Sequence, residues 1–212
     1  METNKATLKQ AARKSYHHAD LASELLGAAE LELSENGMEA FSLRAVAKRA
    51  GVSHGAPAHH FGDVRGLLTA LAAIGYQRLV KAQDNRQRLA KADPRSQIVA
   101  TGLGYIDFAV QNPALFRLMV SSEKPDRTDD RFGTASLLAF DKLVADVRNL
   151  GGSDPYTDPA AMKNVVASWA MVHGLADLMI SGRMERPLGV NQMAPAELDE
   201  VLADLMFRAI KE

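Results

Sequence analysis

The chain has 212 residues, 47% hydrophobic and 24% charged, with no cysteine. Those values are ordinary for a globular chain and exclude a disordered, collagen-like or disulfide-stapled one, while the missing cysteine removes thiol catalysis, iron–sulfur clusters and cysteine-ligated zinc. With 25 Lys plus Arg against 26 Asp plus Glu, the molecule is no polycation, so any nucleic-acid contact has to come from how charge is distributed.

Aromatics are sparse, Ala, Leu and Met abundant and β-branched runs almost absent, which predicts an all-α chain. The most apolar helix-length stretch, residues 165–180, is interrupted by Ser168, His173 and Asp177. No membrane span or secretory signal is therefore expected, and a cytoplasmic protein is the default.

Residues 1–17 carry Lys5, Lys9, Arg13 and Lys14 without apolar periodicity and read as a basic flexible tail. From about His18, Ala22, Leu25, Leu26, Ala29 and Leu33 recur at helical spacing until Asn36-Gly37, a good helix stop. Ser42 is placed to cap a short second helix with Leu43, Val46, Ala47 and Ala50 on one face, closed by Gly51. Ser53 is placed to cap a third. Two short helices joined by a three-residue turn containing Gly make a helix-turn-helix. Beyond Gly62-Asp63, the series Val64, Leu67, Leu68, Leu71, Ile74 opens a long helix reaching Ala92, where Asp93-Pro94 breaks it. Further helices are expected near 95–111, 113–121, 130–149, 159–181 and 196–211, separated by stretches rich in Pro, Gly, Asp and Asn.

From Ala40 to Gly62 there is no Asp or Glu, while Arg44, Lys48, Arg49, His54, His59 and His60 are present. A cationic face on a helix-turn-helix neutralises phosphates, and helix N-termini offer N–H groups to phosphate oxygens. The run Ser42-Leu43-Arg44-Ala45-Val46-Ala47-Lys48-Arg49-Ala50-Gly51-Val52-Ser53, followed by His59-His60-Phe61 and Leu67-Leu68, resembles the DNA-binding domain of TetR-family transcriptional regulators. A second resemblance lies in Tyr105 to Met119 and in Trp169 to Gly174, which are similar to the subgroup whose regulatory domain is named for its Trp, His and Gly.

The resemblance implies a three-helix helix-turn-helix domain over 18–72 and a larger helical regulatory and dimerisation domain over 73–212. It also implies a homodimer, double-stranded operator DNA as partner, and a small apolar ligand, unidentified, that releases the repressor. Carried over residue by residue, phosphate contacts fall on Arg44, Lys48 and Ser53, and base or groove proximity on His54, Gly55, Ala56, His59 and His60. Where the family usually has a bulky residue and then Tyr, this sequence has Pro57 and Ala58, so the tyrosine contact has no counterpart. Two geometries stay open: either Ser53 caps the helix and Pro57 takes its fourth position, or the helix begins at Pro57 after an extended turn.

The ligand is expected beside Trp169, with His173, Phe108, Phe116 and Met119 as further candidates, because indole offers a flat surface with one donor and Met adapts to irregular shapes. His173 and Asp177, four apart, could pair on one face. No nucleophile or oxyanion site accompanies them, so no catalytic residue is expected. The competing reading is a helical small-molecule binding protein or enzyme that keeps a helix-turn-helix as architecture. Adjacent histidines on a helix diverge by ~100°, so neither His17-His18 nor His59-His60 makes a chelate, and no metal or other cofactor is expected. For assembly, Val165, Val166, Leu175 and Leu178 on one late helix and Val201, Leu202, Leu205 and Met206 on the other supply apolar faces, divided between internal packing and a subunit interface.

Overall fold

The computed structural model describes residues 21–209, and among them it contains helices and no strand. The basic tail and the His17-His18 pair lie outside the described residues. The first helix, α1, runs to residue 36 and stops at Gly37, whose φ of 72° suits the left-handed turn that ends it. There follow α2 (Leu43–Arg49), α3 (Ala56–Phe61), α4 (Val64–Leu89), α5 (Pro94–Gln111), α6 (Pro113–Val120), α7 (Asp130–Gly151), α8 (Pro159–Ile180), α9 (Glu185–Leu188) and α10 (Pro195–Ala209).

Local chemistry sets most boundaries. Asp63, Asp93, Asp129 and Asp158 each accept a backbone N–H at the start of α4, α5, α7 and α8, satisfying donors the first turn leaves without partners. Asn112 closes α5 and opens α6, its side chain donating to the Phe108 carbonyl at 2.9 Å. Two boundaries differ from the sequence expectation. Helix α4 ends at Leu89 rather than Ala92, because Ala90 is already extended. The stretch expected as a plain separator after residue 182 holds α9 and a 3-10 turn over Val190–Gln192, pinned by buried Met184 and Val190; a single helical turn has too little apolar periodicity to show in sequence.

Helix α4 lies along α5 and α7, α5 along α8, and α10 against α8 and α5. One hydrophobic core runs from Leu25, Leu33 and Val46 through Leu67, Leu71 and Leu79 to Phe108, Met119, Leu175 and Met206. The expected boundary between residues 72 and 73 therefore falls inside α4, whose first half packs with α1 to α3 and whose second half enters the C-terminal bundle. Two ties fasten the middle and the far end of this helix to its neighbours. Arg78 pairs with Glu30 of α1 at 2.6 Å, and Arg86 pairs with both Asp107 of α5 and Asp199 of α10.

Candidate nucleic-acid interface and ligand cavity

The helix-turn-helix is built on short-range constraints. The Ser42 hydroxyl accepts the Ala45 N–H at 3.2 Å, and Gly51, with φ of 68°, turns the chain out of α2. Val46 and Ala47 are fully buried, which leaves Arg44 and Lys48 exposed on the opposite face. Arg49 departs from the basic face the sequence suggested. It reaches back to Glu32, 3.2 Å away and itself buried, and to Glu35, so its charge clamps α2 to α1. Those hydrogen bonds to Glu35 and Glu32 hold the guanidinium pKa above its ordinary value.

At α3 the structure follows neither of the two sequence geometries in full. The helix begins at Ala56, its N-cap is Gly55 without any side-chain cap, and Pro57 takes an early position where no backbone N–H is required. Ser53 is not the side-chain cap; its carbonyl accepts the Ala56 N–H at 3.0 Å. Buried Pro57 anchors the helix, leaving Ser53, His54, Gly55, Ala58 and His59 exposed and Ala56 and His60 half-buried. The His59 and His60 rings meet edge to face at 5.5 Å rather than diverging. Glycine is obligatory just beyond, because a Cβ on Gly66 would stand 2.0 Å from the Phe61 carbonyl oxygen at the junction of α3 and α4.

The second site is a cavity of about 390 Å³ in the C-terminal bundle, between α4, α5, α7 and α8. Its wall is mainly apolar, with Leu79, Ile98, Phe132, Phe140, Val172 and Met206 among its residues, and Trp169, 46% exposed, stands at its edge against Phe140. Of the five ligand candidates read from sequence, only Trp169 lines this space. Phe108, Phe116 and Met119 are buried in the core instead, because the face of α5 and α6 that carries them turns toward α4 and α8. His173 stands behind the wall and does not pair with Asp177, since its Nδ1 lies 2.9 Å from the Tyr105 hydroxyl.

Tyr105 was not among the sequence candidates, yet it joins the wall to that inner layer. Burial holds its phenol well above the usual tyrosine range, partly offset by a hydrogen bond from Trp169. The Tyr105 hydroxyl and His173 Nδ1 share a hydrogen bond at 2.9 Å, which ties the cavity wall to the layer behind it. Two other polar wall groups are likewise engaged within the protein. Tyr76 donates to the Met119 carbonyl at 3.3 Å, and Thr101 donates to buried Asp146, which also accepts from Gln87. Desolvation raises the Asp146 carboxyl, with the Thr101 hydrogen bond and the Lys142 charge opposing the shift. Gln83, Arg127 and Phe132 were also missed, and only the fold brings these distant positions to one wall.

The loop after α6 links the two sites. Lys124 Nζ donates to the Met38 carbonyl at 3.1 Å, the Asp126 N–H to Thr69 Oγ1 at 2.7 Å, and Asp126 pairs with Arg65 at 3.4 Å. The next residue, Arg127, lines the cavity.

A buried helical bundle fused through one long helix to an exposed helix-turn-helix defines a regulator-type architecture. Residues 25–71 match the family described as "Bacterial regulatory proteins, tetR family", and residues 98–202 match "Tetracyclin repressor-like, C-terminal domain". The chain belongs to the TetR family, a family of transcriptional regulators and not of enzymes. Among curated relatives, the HTH-type transcriptional regulator BetI of Paraburkholderia xenovorans is 38% identical over 78 residues, 37% of this chain and 40% of that one. BetI of Burkholderia lata is 33% identical over 94 residues, 44% of this chain and 48% of that one. The matches thus span less than half the length of these relatives. Among solved structures, a protein with unknown function from a Rhodococcus species is 28% identical with a TM-score of 0.72, covering 91% of this chain and 96% of that one. The TetR family transcriptional regulator PfmR from Thermus thermophilus shares the fold, with a TM-score of 0.60 at 20% identity over 89% of this chain and 99% of that one.

Proposed function

We propose that the chain is a homodimeric, operator-binding repressor released from double-stranded DNA by a small apolar molecule. The observation that carries this reading is the pairing of two unlike sites on one helix: α4 adjoins the exposed helix-turn-helix at its start and lines the cavity with Tyr76, Leu79 and Gln83 further along. Arg44, Lys48 and Ser53 are the phosphate-facing groups, and His54, Gly55, Ala56, His59 and His60 lie nearest the bases. Arg49 is left out of that set because its charge is held by Glu32 and Glu35.

Interiors are normally packed to crystal-like density. A partly open apolar space of about 390 Å³ lined by Leu79, Ile98, Phe140 and Val172 departs from that density and has the size and lining of a small-molecule site. Packing alone does not favour such a space; binding a ligand does. The Trp169, His173 and Gly174 series, which resembles the Trp-His-Gly subgroup, supports the reading because Trp169 lines the cavity and His173 is hydrogen-bonded to cavity-lining Tyr105.

One recognition helix covers few base pairs, and a two-fold dimer presents two helices to half-sites about one DNA turn apart. Of the residues considered for the interface, Val165, Leu175, Leu202 and Met206 are buried within the subunit, Val201 and Leu205 are half-buried, and Val166 and Leu178 are exposed on α8. Helix α10 shows Glu197, Glu200, Asp204 and Arg208 outward. The interface is therefore centred on α8, around Val166, Ala170 and Leu178, with α10 at its charged rim. Ligand and DNA favour different spacings of the two recognition helices, and the coupling equals the ligand's differential affinity for them.

The test is selection of bound fragments from the source organism's genomic DNA, then release of the selected operator by apolar compounds. A steep salt dependence of specific binding and release by at least one such compound are expected. Binding no stronger than to random DNA would overturn the reading.

A further inference from the structure

Among the described residues, one fully buried side-chain polar atom is left without a hydrogen-bond partner, and it belongs to the cavity wall. Gln83, on α4, lines the cavity and is only 4% exposed, and its Oε1 is buried without a hydrogen-bond partner. A buried amide without a partner forfeits the full cost of its desolvation, so an occupant that answers it gains what the empty protein loses. The group is also held in place. Gly104 of α5 lies so close that a Cβ there would stand 2.6 Å from the Gln83 Cα, so the α4 backbone at this position is pressed against α5. Most of the wall hydroxyls are already committed, Tyr76 to Met119, Thr101 to Asp146, Tyr105 to His173 and Ser136 to Gly133, while Ser168 is half-buried and, unlike Gln83, can be answered by water.

We propose that Gln83 is the polar recognition point of the cavity, and that its ligand is an apolar molecule carrying a hydroxyl, or an amide, which donates a hydrogen bond to Gln83 Oε1. A carboxamide presents an acceptor and a donor side by side, and a hydroxyl meets both. This inference rests on the reading of the cavity as a ligand site and narrows it from apolar molecules to those with a donor. A pure hydrocarbon or an ether of the same size fills the space and leaves Gln83 Oε1 unanswered.

Two isomers separate the chemistry, octan-1-ol with a donor and 1-methoxyheptane without one. In a wall with no free polar group the ether binds more tightly, because removing it from water costs less. Titration calorimetry of the full chain with each isomer is expected to give the alcohol roughly a three- to tenfold advantage, the size of one net hydrogen bond. In Gln83→Leu and in Gln83→Met, whose unbranched side chain keeps the length, the order is expected to reverse in favour of the ether. Equal or ether-favoured binding to the parent chain overturns the inference and leaves the cavity reading intact. An alcohol preference that survives in either folded Gln83 variant overturns it too, since another group then supplies the contact. Binding of neither isomer to the parent overturns the inference together with the cavity reading. Should Gln83→Leu fail to fold, the parent's preference and Gln83→Met decide.

Discussion

The two ends of α4 solve opposite packing problems. At its start, the helix-turn-helix buries Val46, Leu67 and Leu68 completely and ties Arg49 and its turns with a clamp, a cap and an obligatory glycine, so the backbone under its outer face is fixed. Further along, the bundle leaves a space of about 390 Å³, keeps Trp169 half in solvent and carries an amide without a partner. A surface that reads a rigid duplex needs its side chains held in advance, whereas a site for a small molecule needs volume and unanswered polarity that its occupant completes. Low plasticity at one end and incompleteness at the other are what a ligand-controlled binding surface requires, with the Lys124, Asp126 and Arg65 contacts joining them.

The largest effect is expected from breaking the proposed dimer, which would double the rigid end. Val166→Glu together with Leu178→Glu places charge on the outward face of α8 and should give folded monomers by light scattering, with operator affinity down by about 100-fold or more through lost bivalency. A dimer mass with parental affinity would move the interface elsewhere.

Rigidity itself is tested at Gly66. Gly66→Ala drives a methyl into the Phe61 carbonyl, and a forced backbone shift of this kind costs about 1–3 kcal/mol. Denaturant unfolding should show that loss, and operator binding should fall tenfold or more because α3 is displaced. Parental DNA binding would mean that the junction is softer than the contrast between the two ends requires.

Lys48 and Arg49, neighbours in sequence, sharpen the comparison within the rigid end. Lys48→Ala should leave thermal stability unchanged and lower the salt slope of DNA binding by about one unit on every sequence, as one lost phosphate contact does. Arg49→Ala should lower the thermal midpoint by freeing the buried Glu32 carboxylate and change the slope little. Reversed outcomes would exchange their roles.

The smallest effect belongs to the incomplete end. Trp169→Phe keeps most of the apolar surface and removes the indole N–H at the cavity edge, so folding and operator affinity should stay within a factor of about two while ligand-induced release weakens several-fold. A variant released as readily as the parent would make Trp169 an ordinary edge residue of the bundle.

Much of the rigid end was legible in the sequence, because its signals are local. Ser42, Gly51, Asp63 and Asp93-Pro94 act within a few residues of themselves, and the acid-free run from Ala40 to Gly62 is visible without any fold. The same locality failed at Ser53, where proximity to a helix suggested a cap but the burial of Pro57 set the helix start at Ala56. It failed again at Arg49, whose partners lie 14 and 17 residues away on another helix.

By itself, then, the sequence determined the helices longer than a single turn, their order, the helix-turn-helix and the candidacy of Trp169, since capping, periodicity and turn chemistry depend on near neighbours. Only the tertiary structure decided which aromatic residues face a cavity and which fill the core, that His173 pairs with Tyr105 rather than Asp177, and that Gln83 is left without a partner. Helical periodicity says that a residue lies on an apolar face. Whether that face meets another helix or an open space depends on the angles and separations of α4, α5, α7 and α8, which are set by all their side chains together and by no single stretch of the chain.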